Sequence, residues 1–408
     1  RVVVFGAFDR HNLGDLLFAH VAQALLDDRE CLFAGIVERD LRAVGGHHVR
    51  ALADVAREAR DAGEALPLLH AGGEILTCDA WQAAVMLREP VEAARIVARL
   101  DAKPRERETW ARQRLGKALR IDPADVPAAP YVVSASSMPG LAGVAFAPVG
   151  GVELASCSTA LRDEVLEAIR GARTACVRDQ VTLASLRAAG VDAALVPDPV
   201  VTIESLFGKR IRSRCARSPG LARVRSAFPA GWLATQFSAD FGDDATVTTI
   251  AAQLDFVHRH TGLGVVLFRA GAAPWHDSLE VLERIAARMQ APALVLDTLD
   301  ARDLCAVIAG SRGFCGSSLH GRIVASAFGL ARVNVSHPSV CARTTKQHAW
   351  AATWECQAQP GVVPVQAIGE GVRAALSVDP SARERQAAVL AARCRDGFES
   401  IRTALGAR

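Results

Sequence analysis

Short β-branched and aliphatic runs recur along the chain, most of them closing on Gly, Asp or Ser. Several are followed by a longer stretch whose apolar positions fall at helical spacing. In the first half the runs are VVVF (2–5), CLFAGIV (31–37), PLLHAGG (67–73), PYVVSAS (130–136), GVAFAPVGG (143–151), TACVRD (174–179) and AALVPDP (193–199). Helices are predicted between them over Leu16–Leu26 and Ala160–Ile169. The second set is WLATQFS (232–238), GVVLFRAG (264–271), ALVLD (293–297), GFCGS (313–317) and ARVNV (331–335). It alternates with predicted helices over Val247–His260, Ser278–Met289, Ala301–Ala309 and His320–Phe328. Strands that alternate with amphipathic helices imply parallel sheets covered on both faces, so the expected fold class is α/β, with two Rossmann-like, doubly wound halves.

At 408 residues the chain exceeds the size at which one hydrophobic core stops growing, which also favours two domains. The predicted division is an N-terminal domain over 1–205, a basic linker over 206–228, a C-terminal domain over 229–365 and C-terminal helices over 366–408. The linker rests on the arginine-dense stretch FGKRIRSRCARSPGLARVRSAFPAG, read either as a solvated connection or as a basic lip facing an anionic acceptor. The tail from Ser381 to Leu405 is expected to form one long charged helix packing across the domains.

Composition narrows the class of protein. Half of the residues are hydrophobic, only 5% are aromatic, and the net charge is +3 from 47 basic and 44 acidic side chains. That balance gives no footprint for nucleic acid. Ten cysteines are scattered without a C-x-x-C pair, which argues against a zinc site and a disulfide framework and for small, reduced, mostly buried side chains. No apolar run reaches the roughly 18–20 residues of a membrane span, and RVVVFG opens the chain without a signal-type segment. The expected location is the cytoplasm, with peripheral contact at the inner face of the membrane allowed but no stable insertion.

Four strand-end loops carry the candidate chemistry, because ligands of open α/β sheets sit beyond the carboxyl ends of the strands. In FGAFDRHNLGD, Asn12 or Asp15 can cap the first helix, or they and Gly14 can approach a ligand. In LLHAGGEIL, Gly72 and Gly73 mark a turn or a close backbone approach. In TACVRDQV, Arg178 can clamp a carboxylate or phosphate, or pair locally with Asp179. In GSSLHGRIVASAFGL, His320 continues the Ile323, Val324, Ala327 stripe at the first turn of a helix opened by Ser317 and Ser318. It is either a core histidine or an acid beside an anion-favouring helix start.

Taken in order, NLGD, HAGGEIL, VRDQVTLASLRAAGVDAALVPDPV, WLATQFS, PWHDS, SSLHGRIVASAFGL and KQHAWAATWE resemble the polysaccharide pyruvyl transferase family over roughly residues 5–356. The resemblance implies two Rossmann-like domains facing a cleft, as in GT-B glycosyltransferases. It also implies transfer of pyruvate from phosphoenolpyruvate, as a ketal, onto two hydroxyls of a glycan or lipid-linked saccharide. His320 matches the family's histidine and is the expected general acid. Arg178 matches its arginine and is the expected donor clamp, with Ser317, Ser318 and Leu319 also on the donor. Many members carry Arg-Leu-His where this chain has Ser318-Leu319-His320, so one donor contact is missing. Arg322 is no substitute, because two residues along a helix turn it about 200° from His320. Arg269 and Lys346 are the candidates to supply that charge. Asn12, Asp15, Gly72 and Gly73 are assigned to the acceptor or the cleft, as is His276, which can bind acceptor or phosphate or else cap a helix with Asp277. No metal and no cofactor are expected, since Arg and Lys can meet the electrostatics. The competing classes are a nucleotide-sugar-dependent GT-B glycosyltransferase and a catalytically silent sugar- or anion-binding homologue.

Overall fold

The structure, a computed structural model, describes residues 1–134, 136–339 and 344–406, so Cys341 lies outside the described residues. The chain divides into unit 1, residues 1–199 with 393–408, and unit 2, residues 200–392.

Unit 1 is built on an eight-stranded sheet. Its strands are β1 (Val2–Phe5), β2 (Cys31–Gly35), β3 (Arg39–Asp40), β4 (His48–Ala51), β5 (Leu66–His70), β6 (Leu141–Val149), β7 (Thr174–Val177) and β8 (Ala194–Leu195). They lie in the order β3-β4-β2-β1-β5-β6-β7-β8, all pairs parallel except β3 with β4. Helices cover the sheet, and Phe5, Leu68, Phe146, Val177 and Leu186 contribute to one buried core.

Unit 2 carries six parallel strands: β9 (Trp232–Gln236), β10 (Gly264–Phe268), β11 (Ala293–Leu296), β12 (Gly313–Gly316), β13 (Ala331–Ser336) and β14 (Val362–Pro364). Their order is β11-β10-β9-β12-β13-β14, the 3-2-1-4-5-6 sequence of a dinucleotide-binding Rossmann sheet. Both β10 and β12 flank β9, so the winding direction reverses between β9 and β12. In unit 1 the corresponding reversal falls between β1 and β5.

Two expectations about elements change, while the expected long tail helix is present. Residues 206–228 are not a linker: they fall in two helices, Ile203–Arg217 and Pro219–Ala227, and the division between units falls at Pro199/Val200. Ile211, Leu221 and Val224 are buried, and Arg214 docks on Asp303 at 2.7 Å and Asp300 at 3.5 Å. The arginines thus decorate the outer faces of packed helices. PYVVSAS is not a strand: Val133 N–H donates to the His70 ring at 2.9 Å and Val132 N–H turns back to Ala129, so neither is spent on a ladder. The tail helix runs Pro380–Gly406, with residues through 392 grouped in unit 2 and the rest in unit 1, where Cys394, Phe398, Ile401 and Leu405 are buried. Among the described residues, no helix is long and apolar enough to cross a membrane.

Candidate functional site

The reversal point of unit 2 is where the sequence places its histidine. Gln236 ends β9 and lies in register with Gly316, which ends β12. A Cβ at position 316 would come 2.1 Å from the Gln236 carbonyl oxygen, so only glycine lets the two strands close here. The chain then turns through Ser317 and Ser318 into the Leu319–Ala327 helix, with Ser318 as its cap accepting from Gly321 N–H at 3.1 Å. His320 is half-buried at the first turn, while Ile323, Val324 and Ala327 are buried as the stripe predicted.

The turn is held by polar side chains on every side. Gln236 Oε1 accepts from Ser318 N–H at 2.7 Å and from the Ser317 hydroxyl at 3.3 Å. Asn334 Nδ2 donates to the carbonyls of Gly316 at 2.8 Å and Ser318 at 3.0 Å, and Gln347 Nε2 donates to that of Ser317 at 2.6 Å. Ser238 N–H donates to the Ser317 hydroxyl at 3.0 Å. Gln236 and Gln347 stand inside WLATQFS and KQHAWAATWE and Asn334 inside ARVNV, but the sequence alone does not mark them as site residues. The available signal was positional: each lies on the rim of the strand-end turn, and none belongs to a residue class that advertises chemistry.

The loop after β10 joins this network. Asp277 Oδ2 accepts from Ala270 N–H at 2.5 Å and Gly271 N–H at 3.3 Å, and its Oδ1 accepts from Gln236 Nε2 at 2.7 Å. Desolvation pushes this carboxyl up to about 7, against the lowering effect of its hydrogen bonds and of Arg269. Neighbouring His276 is half-buried, its Nδ1 3.0 Å from the Pro274 carbonyl. Trp275 between them is 46% exposed and sits at φ 64°, a left-handed conformation rare for a bulky side chain.

The candidate cations of unit 2 differ in their setting. Arg269 follows β10 and donates to Asp297 at 2.7 Å. Lys346 is exposed at the start of the Lys346–Trp354 helix, one residue from the Gln347 that holds Ser317. Arg322 is fully buried, with Glu355 at 3.0 Å and the carbonyls of Pro360 and Gly361 at 2.8 and 2.9 Å, so it faces away from His320 as the helix geometry required. Glu355 also takes Arg332. Burial would raise its carboxyl, but the two guanidiniums hold it at about 2.

In unit 1 the reversal point brings together the loops after β1 and β5. A Cβ on Gly6 would come 1.9 Å from the Ala71 carbonyl oxygen, and one on Gly72 would come 2.8 Å from the Ile75 side chain. Gly73 accepts from Gly150 N–H at 2.7 Å, so Gly72 and Gly73 are buried where backbones converge. Asn12 caps the first helix through Gly14 N–H at 3.0 Å. Asp15 is buried against Arg10 at 3.2 Å. Beside it, the Tyr131 hydroxyl and the N–H groups of Ile36 and Val37 converge on buried Asp9 at 2.9, 2.7 and 3.1 Å.

Arg178 departs from expectation. Its guanidinium is 2% exposed and donates to Asp198 at 2.8 Å and Glu74 at 2.7 Å. Burial alone would disfavour its charge, but these two carboxylates keep it protonated beyond its ordinary range. Asp179 is not its partner; it caps the next helix through Thr182 N–H at 2.7 Å. A guanidinium so enclosed is not presented as an open fork for a donor carboxylate or phosphate. It ties the Gly72-Gly73-Glu74 loop to the strand ends of β7 and β8. Glu74 and Asp198 stand inside the quoted motifs, yet only the fold shows that they share one arginine.

Among the described residues, no group of three His, Cys, Asp or Glu side chains is placed to hold a metal ion.

Comparison with known proteins agrees with this picture. The model of a family described as "Polysaccharide pyruvyl transferase" matches residues 129–338. None of the curated proteins matches the chain. Among solved structures, the UDP-N-acetylglucosamine 2-epimerase of Rickettsia bellii is similar with a TM-score of 0.52 at 7% identity, over 99% of this chain and 96% of that one. A putative UDP-N-acetylglucosamine 2-epimerase of Listeria monocytogenes gives 0.51 at 10% identity, over 95% and 90%. The Neisseria meningitidis enzyme bound to UDP-GlcNAc gives 0.50 at 10% identity, over 98% of each chain. At such identities the likeness is one of fold: α/β, with two Rossmann-like domains of the GT-B type.

Proposed function

Because the chain belongs to the polysaccharide pyruvyl transferase family, we propose that it transfers pyruvate from phosphoenolpyruvate onto two hydroxyls of a glycan or lipid-linked saccharide, forming a ketal and releasing phosphate. The observation that carries this reading is the place of His320: half-buried, at the first turn of a serine-capped helix, on the reversal point of a Rossmann sheet. That is where such sheets meet ligands, and first-turn N–H groups have no acceptor within their own helix.

The chemistry matches the residue. The donor's methylene carbon takes a proton and becomes the methyl group, and the neighbouring carbon accepts the first sugar oxygen. The bond from that carbon to the phosphate oxygen then breaks, and the second hydroxyl closes the ketal. Each hydroxyl gives up its proton, one replacing the proton that His320 gave and the other going to the phosphate, which departs with the bonding electron pair. His320 supplies the first proton, since imidazole is the side chain that holds or yields one near neutrality. The helix start at Leu319, where the flanking Ser318 and Gly321 N–H groups are already taken by Gln236 and by the Ser318 cap, receives the donor's anionic groups, and Lys346 and Arg269 supply the charge that serine at position 318 cannot. No metal or cofactor enters these steps.

The test is a thermal-shift titration with phosphoenolpyruvate and, separately, with uridine and guanosine diphosphates. Phosphate release and a pyruvyl mass gain are then sought on a panel of polymeric and lipid-linked glycans. At a hundred times Kd a ligand specific for the folded chain adds about 2.7 kcal/mol of stability. A shift with a nucleoside diphosphate and none with phosphoenolpyruvate overturns the proposal. Donor binding without phosphate release on any acceptor points to a silent homologue.

A further inference from the structure

Ser318 N–H, at the cap of the helix that carries His320, is satisfied by a side chain from another strand. Its acceptor is Gln236 Oε1 at 2.7 Å, and the other end of that amide donates to Asp277 Oδ1 at 2.7 Å. The orientation of the amide follows from its neighbours. A backbone N–H can only donate, so the atom facing Ser318 must be the oxygen, and the nitrogen must then face the carboxylate. Asp277 is in turn fixed by Ala270 and Gly271 N–H at 2.5 and 3.3 Å. The Ala239 N–H to His276 carbonyl bond at 2.8 Å pins the same loop from a further side. A backbone held at φ 64° at Trp275 persists only where its surroundings over-determine it, and these bonds do so.

We propose that Asp277, acting through Gln236, is a positioning residue that fixes the start of the helix carrying His320. The function it serves rests on the pyruvyl transfer reading; the mechanical link does not. Only one polarity satisfies the relay: acceptor at 277, donor then acceptor on residue 236, donor at Ser318. With Asp277→Asn, keeping Ala270 and Gly271 satisfied requires the amide oxygen on that side, which turns an NH₂ group toward the NH₂ of Gln236. Gln236 must flip, and its NH₂ then opposes Ser318 N–H. With Gln236→Glu, two carboxylates face each other, and since a proton shared between them would mend the link, this variant is measured well above the Asp277 titration at about 7. With both changes the polarity is whole again, because the new amide at position 277 donates to the new carboxylate at position 236, which still accepts from Ser318 N–H.

This reciprocal pair makes the test. Amide hydrogen exchange over residues 316–321 and phosphoenolpyruvate affinity are measured for the wild type, the two single variants and the double variant. The expected result is that each single change speeds local exchange and weakens donor affinity about tenfold or more, while the double change returns both to within about threefold of wild type, because directly coupled residues are strongly non-additive. Should a single variant fail to fold, the double variant against wild type still decides the matter. Single variants with unaltered exchange over 316–321, or a double variant as impaired as the worse single one, overturn the assignment. If the wild type does not bind phosphoenolpyruvate, the proposed function falls while the exchange measurements continue to decide the relay.

Discussion

Arg178 and Asp198 form a buried ion pair in which guanidinium and carboxylate meet at 2.8 Å with 2% and 0% of their side chains exposed. Glu74 completes the pairing at 2.7 Å. Replacing Arg178 by Met leaves these carboxylates facing each other and should destabilise the chain by about 3–5 kcal/mol, the range for breaking a buried pair from one side. Arg178→Lys should lower the melting temperature while leaving the phosphoenolpyruvate KM within about threefold, since lysine loses the fork that spans two partners. Denaturant titration alongside donor kinetics checks this. A large rise in donor KM with unchanged stability would restore Arg178 as a donor clamp.

His320→Ala should lower pyruvyl transfer by roughly 10²-fold or more, the scale of general acid catalysis. The residue is half-buried and its neighbours on the stripe carry the packing, so the melting temperature should change little. Turnover at the wild-type rate would take the histidine out of the mechanism.

Asp277 gives the stability of the chain a distinctive pH dependence. Its carboxyl is raised to about 7 by desolvation, with Arg269 and the Ala270, Gly271 and Gln236 donors opposing. The folded chain therefore holds a proton that the unfolded chain releases near pH 4. The stability linked to this group is fully present below the ordinary carboxylate range and is lost as pH rises through about 7. Asp277→Asn should remove that contribution, so the difference between variant and wild-type denaturant midpoints changes between about pH 4 and 7 and is level outside that window. A difference that is constant across pH would place the Asp277 titration elsewhere.

His70 acts in the opposite sense. Buried against Phe146 at 4.2 Å and accepting Val133 N–H at 2.9 Å, it is pushed down to about 3 by desolvation. Its contribution is present above the ordinary histidine value and is lost as pH falls toward 3. His70→Gln, which keeps an acceptor for Val133 but cannot take up a proton, should make the acid limb of the stability curve shallower. The same unfolding measurements, extended down to about pH 3, report the difference. An acid limb as steep as that of the wild type would show that His70 is not among the groups that protonate there.

The period of the apolar positions determined the fold class and most of the elements, because a parallel strand buried on both faces must be a short continuous apolar run whatever it packs against. VVVF, GVVLF, GFCG and the Ala301–Ala309 helix stand where the pattern placed them. The histidine was legible too, since a serine cap and an apolar stripe are local facts about one helix. The two helices hidden in the arginine-rich stretch were not, because their outward faces outnumber their buried ones and composition averages over both. What only the tertiary structure decided was the partner of each polar side chain. Strand order brought Gln236 beside Gly316, far away in sequence, and let Asp277 reach it. It also enclosed Arg178 between Glu74 and Asp198 instead of leaving it open to a ligand. Burial and hydrogen-bond satisfaction are properties of the packed sheet, and one strand read alone carries no record of which neighbour will supply the other half of the bond.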